Sequence, residues 1–184
     1  MRSLAAVINR LRKIMNKTYL LLGSNLGNPK EKLATAQQFI QKKIGPIVCQ
    51  SAIYQTAAWG NTQQPDFLNQ VIIVNNKLDP QETMQTILGI EESMGRVRTE
   101  KNAARLIDID ILFYGKMIID EKTLTIPHPF IAQRRFVLVP LDELSPLFIH
   151  PVLNKNIHEL LLDCPDKLDV KKIWRAICAF HLFC

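Results

Sequence analysis

Two tetrapeptides constrain this chain most: Asn28-Pro29-Lys30-Glu31 and Asp79-Pro80-Gln81-Glu82. Each offers a side-chain acceptor at an N-cap, then a proline at the first helical position, where its missing N–H is no loss. Each ends in a glutamate that can reach back to the cap N–H. The first helix is expected to run to about residue 43, with Leu33, Ala36, Ile40 and Ile44 facing a core at near-helical spacing. The second carries Met84, Ile87, Leu88 and Met94 on one stripe and stops at Gly95. Around these helices, residues 18–22, 47–56, 67–77 and 106–114 read as strands rich in Val, Ile and Leu. The resulting order, β-α-β-β-α-β, is the split βαβ, ferredoxin-like arrangement. It is an α+β fold with an antiparallel sheet flanked by helices. Further on, residues 123–129 form a short extended piece, and residues 154–162 a last short helix. The apolar run 135–141 suits a strand or a helix.

No internal repeat or low-complexity stretch divides the 184 residues, so a single domain over 15–184 is expected, preceded by an N-terminal extension, 1–14. That extension holds Arg2, Arg10, Arg12 and Lys13 and no acid, so it supplies most of the net charge of +6. What remains is too mild to argue for nucleic acid. No apolar run reaches the length of a bilayer span, so no membrane partner is expected. The cysteines, at 49, 164, 178 and 184, show neither a CxxC pair nor zinc spacing. They are expected to be thiols in a reducing, cytoplasmic setting, and the chain is expected to be a monomer.

The chemistry concentrates in residues 95–110, GRVRTEKNAARLIDID. In a strand, Asp108 and Asp110 point to one face while Ile107, Ile109 and Ile111 point to the other. Paired carboxylates repel and are costly to bury unless a cation joins them. A hard divalent ion that completes its shell with water and phosphate oxygens meets that need. Arg96, Arg98, Lys101 and Arg105 stand directly before the pair, so a polyphosphate is the expected remaining ligand. Read singly, the aspartates also fit a solvated strand face, and the basic residues a solvated loop. His128 lies between Pro127 and Pro129, and Phe67 and Asn69 share a strand face that offers a ring and an amide to a flat heterocycle. The turn at 23–27, GSNLG, lacks the lysine and hydroxyl residue of a P-loop and reads as a tight turn. On these residues alone, a two-metal phosphoesterase or a nucleotide-binding module stays open.

In combination the segments are more specific. GSNLG at 23–27, YQT at 54–56, QPDFLN at 64–69, the run from Glu92 to Arg98, RLIDIDIL at 105–112, IPHP at 126–129 and RRFVLVPL at 134–141 occur in order. Over about residues 18–163 the chain thus resembles the 6-hydroxymethyl-7,8-dihydropterin pyrophosphokinases of folate biosynthesis. The resemblance implies an ATP-dependent transferase that moves pyrophosphate to the pterin hydroxymethyl group and releases AMP. It implies that Asp108 and Asp110 hold two magnesium ions, and that Arg96, Arg98 and Arg105 neutralise the triphosphate. Lys101, His128 and Arg134 would line the ATP side. Asn69 would read the pterin edge, Phe67 and Phe136 would sandwich its ring, and the backbone at Thr56 and Ala58 would add hydrogen bonds. The chain departs from the family at residues 99–104, TEKNAA, where many relatives carry an Arg-Trp-Gly-Pro run. Lys101 keeps the charge of an arginine but loses its bidentate fork.

Overall fold

A computed structural model describes residues 16–58, 64–96 and 105–174. In chain order the elements are β1 (Asn16–Ser24), α1 (Pro29–Lys43), β2 (Ile47–Gln50), β3 (Ile53–Thr56), β4 (Phe67–Asn76), α2 (Pro80–Ser93) and β5 (Asp108–Tyr114). These are followed by β6 (Ile119–Glu121), β7 (Leu124–Ile126), a 3-10 turn (Ile131–Gln133), α3 (Arg135–Leu144), α4 (Ile157–Leu162) and β8 (Val170–Trp174). Both helices start where expected, but the reciprocal capping box forms only at the second; at the first only the Asn28 half is made. The Asn28 side chain accepts from Glu31 N, and Asp79 and Glu82 complete a reciprocal capping box. Gly95, with φ at 84°, takes the left-handed conformation that ends α2.

The main sheet runs β5-β1-β4-β3-β8, with β2 also on β4, and its named pairings are antiparallel. This is the expected ferredoxin-like core. Side chains alternate between two separate cores. Leu20, Leu22, Ile72, Ile109 and Ile111 pack with Leu33 and Ile40 of α1 and Ile87 and Ile90 of α2. Tyr19, Leu21, Val71, Ile73 and Phe113 pack on the other side with Val137, Leu138 and Leu141 of α3 and Ile157 and Leu160 of α4. Helices therefore cover both faces, which is why the central strands read as nearly unbroken apolar runs.

Two segments differ from expectation, and one open reading is decided. Residues 47–56 form two strands, because Ser51 enters the ladder sideways: its N–H donates to Val71 O at 2.9 Å while its Oγ accepts from Val71 N at 3.0 Å. The ambiguous run at 135 onward is helical, with Val137, Leu138 and Leu141 buried. β8 was not foreseen; it adds to β3 at the sheet edge, and its lysines are typical of edge strands. Cys49 is disulfide-bonded, against the expectation of four thiols, whereas Cys164 is a buried free thiol.

Candidate active site

β5 sets the two aspartates beside the C-terminal end of β1, with Asp108 opposite Gly23 and Asp110 opposite Leu21. Ile107, Ile109 and Ile111 are buried in the α1/α2 core, so both carboxylates project away from it as the alternation requires. Asp108 is held by two guanidiniums: Arg96 Nη2 lies 2.8 Å from Oδ1, and Arg105 Nη1 meets Oδ2. Arg96 also pairs with Glu91, which is only 2% exposed. Glu91 Oε1 accepts from Ile109 N, the amide between the two aspartates, at 2.8 Å. Burial pushes Glu91 upward in pKa, and Arg96 and the Ile109 N–H counter it. Asp110 is pushed up to about 7 by burial and by the charge of Asp108, with Arg134 opposing. About a third of its side chain (32%) still opens to solvent.

The glycine-flanked turn at 23–27 acts as a clamp. Asn25 N donates to Arg105 O at 3.1 Å, and Asn25 Oδ1 accepts from Arg105 N at 2.7 Å. Its Nδ2 donates to Gln64 Oε1 at 3.3 Å and to Pro65 O at 3.2 Å. Ser24 Oγ donates to Leu106 O at 2.7 Å. One buried asparagine thereby joins the residues that border segments 59–63 and 97–104.

A cavity of about 300 Å³ opens between these parts. Thr56, Ala58, Phe67, Asn69 and Phe136 line it together with Arg105, Asp108, Asp110, His128 and Arg134. Asn69 Nδ2 donates to Thr56 Oγ1 at 2.9 Å, which fixes the orientation of the amide. A Cβ at Gly23 would stand 3.2 Å from Asn69 Oδ1, so a side chain there would crowd this amide. His128 Nδ1 accepts from Phe130 N at 3.2 Å, which leaves the proton on Nε2, 4.0 Å from Asp110 Oδ2. Burial and the nearby Arg134 lower the His128 pKa to about 4, so the ring is neutral at pH 7. The Arg134 guanidinium lies over the Phe130 ring at 4.8 Å and the Phe136 ring at 5.8 Å.

The structure thus gathers eleven expected residues: Thr56, Ala58, Phe67, Asn69, Arg96, Arg105, Asp108, Asp110, His128, Arg134 and Phe136. Arg98 and Lys101 lie outside the described residues. Sequence reasoning missed Glu91, Asn25 and Phe130. Glu91 had a signal, since it falls four residues after the buried Ile87 and so on the inward stripe of α2.

A family profile described as 7,8-dihydro-6-hydroxymethylpterin-pyrophosphokinase matches residues 19–146. The chain belongs to this family. A 2-amino-4-hydroxy-6-hydroxymethyldihydropteridine pyrophosphokinase of Methylorubrum extorquens is 40% identical over 133 residues, covering 72% of this chain and 84% of the relative. The protein of the same description from Aquifex aeolicus is 38% identical over 145 residues, covering 79% and 90%. Folic acid synthesis protein FOL1 of Dictyostelium discoideum is 35% identical over 86% of this chain, yet only 24% of that protein is spanned. The crystal structure of wild-type Plasmodium falciparum HPPK-DHPS shares the fold, with a TM-score of 0.67 at 20% identity over 80% of this chain and 44% of that one. As a pyrophosphokinase of this family, the chain is an ATP-dependent diphosphokinase that transfers pyrophosphate to hydroxymethyldihydropterin in folate biosynthesis. Among the described residues, no helix is long and apolar enough to cross a membrane.

Magnesium, which the family generally requires, suits the donor set. Among the described residues no three His, Cys, Asp or Glu side chains gather as a metal cage. Two carboxylates that leave the rest of the shell to phosphate and water are the usual magnesium arrangement.

Proposed function

We propose that the cavity binds the pterin between Phe67 and Phe136, with Asn69 and the backbone at Thr56 and Ala58 reading its polar edge. The triphosphate of ATP then lies across Asp108, Asp110, Arg96, Arg105, His128 and Arg134. The observation that carries this reading is the meeting, in one cavity, of an aromatic and amide wall with a carboxylate and arginine wall. Such a pocket suits a flat heterocycle whose hydroxymethyl arm faces a polyphosphate.

In the reaction the pterin hydroxyl oxygen attacks the β-phosphorus and gives up its proton to solvent, the bond from that phosphorus to the α–β bridging oxygen breaks, and AMP leaves with the electron pair. Transfers of this type depend on alignment and charge neutralisation more than on a strong base. Asp108 and Asp110 would hold two magnesium ions, which when bound neutralise phosphoryl oxygens at both ends of the displacement. Arg96 and Arg105 donate charge-assisted hydrogen bonds to phosphate oxygens, and Arg98 and Lys101 belong to the same basic segment. Neutral His128 offers its Nε2–H to a phosphate oxygen, a role its lowered pKa preserves across neutral pH. Arg134, stacked on Phe130, faces the same charges. We place the enzyme in the cytoplasm on the ground of its part in folate biosynthesis, because the disulfide at Cys49 removes the support of four thiols. We read it as a monomer, with 15–184 as one domain and 1–14 as an extension.

Incubation with ATP, magnesium and 6-hydroxymethyl-7,8-dihydropterin tests the reading, with AMP and the pterin diphosphate as products. Release of phosphate without the pterin would point instead to a phosphoesterase, and no pterin-dependent AMP would overturn the assignment.

A further inference from the structure

We propose that Asp166 is a positioning residue for pyrophosphoryl transfer, setting Arg134 and Phe136 in the cavity through the backbone of α3. The inference rests on the cavity assignment made above. An α-helix begins with N–H groups that have no partner within the helix, and the N-cap side chain usually supplies one. Here the N-cap is Arg134, whose side chain makes no capping hydrogen bond. The acceptor comes from a distant part of the chain: Asp166 Oδ2 accepts from Arg135 N at 3.0 Å. Its other oxygen, Oδ1, accepts from Leu168 N at 2.9 Å, so one carboxylate fastens the helix start to the segment entering β8. A negative charge at this end also favours the helix dipole.

The fastened amide lies between the two cavity residues, with Arg134 before it and Phe136 after it. The same C-terminal strap grips the other end of α3. Lys172 Nζ donates to Glu143 Oε1 at 2.6 Å, while Glu143 Oε2 accepts from Ala52 N and from Tyr54 OH, each at 2.9 Å. β8 pairs Val170 with Thr56, a third cavity residue. The family profile ends at residue 146, so the strap lies outside the matched segment.

The test compares kcat, the KM for each substrate, and thermal stability in five variants. Asp166→Ala is expected to raise the pterin KM on the order of tenfold, because misplacement near the reacting groups is costly. Asp166→Asn keeps one acceptor oxygen but sets its amide nitrogen against the second backbone N–H, so its pterin KM is expected to fall between those of the parent and Asp166→Ala. Asn156→Ala removes the cap of α4, which holds no cavity residue; it should lower stability and leave both KM values unchanged. If Asp166→Ala does not fold, Asp166→Ser, whose short hydroxyl cannot serve both amides, should show a smaller rise in the same KM. The proposal is overturned if the Asp166 variants match Asn156→Ala in kinetics, or if asparagine is no better than alanine. Phe136→Ala separates the two readings. An unchanged pterin KM there would reject the cavity assignment itself, whereas a raised KM beside an inert Asp166→Ala would reject only the strap.

Discussion

Asp108 and Asp110 share a strand face, but their surroundings set them different tasks. Asp108 is shared between two arginines, while burial and the charge of its neighbour push the pKa of Asp110 up to about 7. Asp108→Ala should cut pterin-dependent AMP release on the order of a thousandfold while leaving the fold intact, as read by activity and circular dichroism. Asp110→Asn should abolish activity and also stabilise the metal-free protein. A folded-state pKa above the ordinary 3.8 means that the ionised carboxylate costs stability above that value, with the full cost reached near 7. Denaturant melts in a chelator should therefore show a larger gain at about pH 8 than at about pH 5. The gain is on the order of 1 kcal/mol, given how far this side chain opens to water. The aspartate pair was legible because a spacing of two in a strand has one geometric meaning. Glu91 was legible only as an inward position on α2; its role was not, because a fully buried glutamate is rare and becomes tolerable only with Arg96 folded back onto it. Glu91→Gln keeps the bond to Ile109 N but frees Arg96, and should lower kcat by roughly tenfold to a hundredfold.

At the scale of elements, the helix starts were the most readable features, since each is set by four adjacent residues acting on one another. Strand limits were less so. The break at Ser51 depends on Val71, a strand away, and the helical state of 135–144 depends on Tyr19, Leu21 and Phe113 lying beneath it. The turn at 23–27 reads from its own residues as a tight turn, but its work as a clamp needs partners at Gln64 and Arg105 that local sequence cannot specify. Asn25→Ala should cost about 1–3 kcal/mol, because it leaves the Arg105 amide without its side-chain acceptor. Amide exchange at Arg105 and Leu106 should quicken in the same variant; unchanged exchange would show that the clamp is dispensable.

For the whole molecule, the alternation of β1 into two cores makes one strand the common wall of both helical layers, and the strap through β8 ties the second layer to the sheet edge. Burial alone would raise the pKa of Glu143, but hydrogen bonds from Lys172, Ala52 N and Tyr54 outweigh it and hold the group below its ordinary 4.5. Its stabilising contribution is present above that value and disappears as pH falls through the folded pKa. Glu143→Gln should therefore be less stable than the parent at neutral pH and lose less on acidification from about pH 5 to 3, as read in thermal melts. The two arginines on Asp108 have a consequence for binding. The carboxylate that would receive a cation already carries cations of its own, drawn from the chain. On the proposed reading, loading the cavity would be a change of partners, in which the arginines would pass to phosphate and the aspartates to metal. The stripping of water from these ions, ordinarily a large cost of assembling charges in a cavity, was largely met when the chain folded.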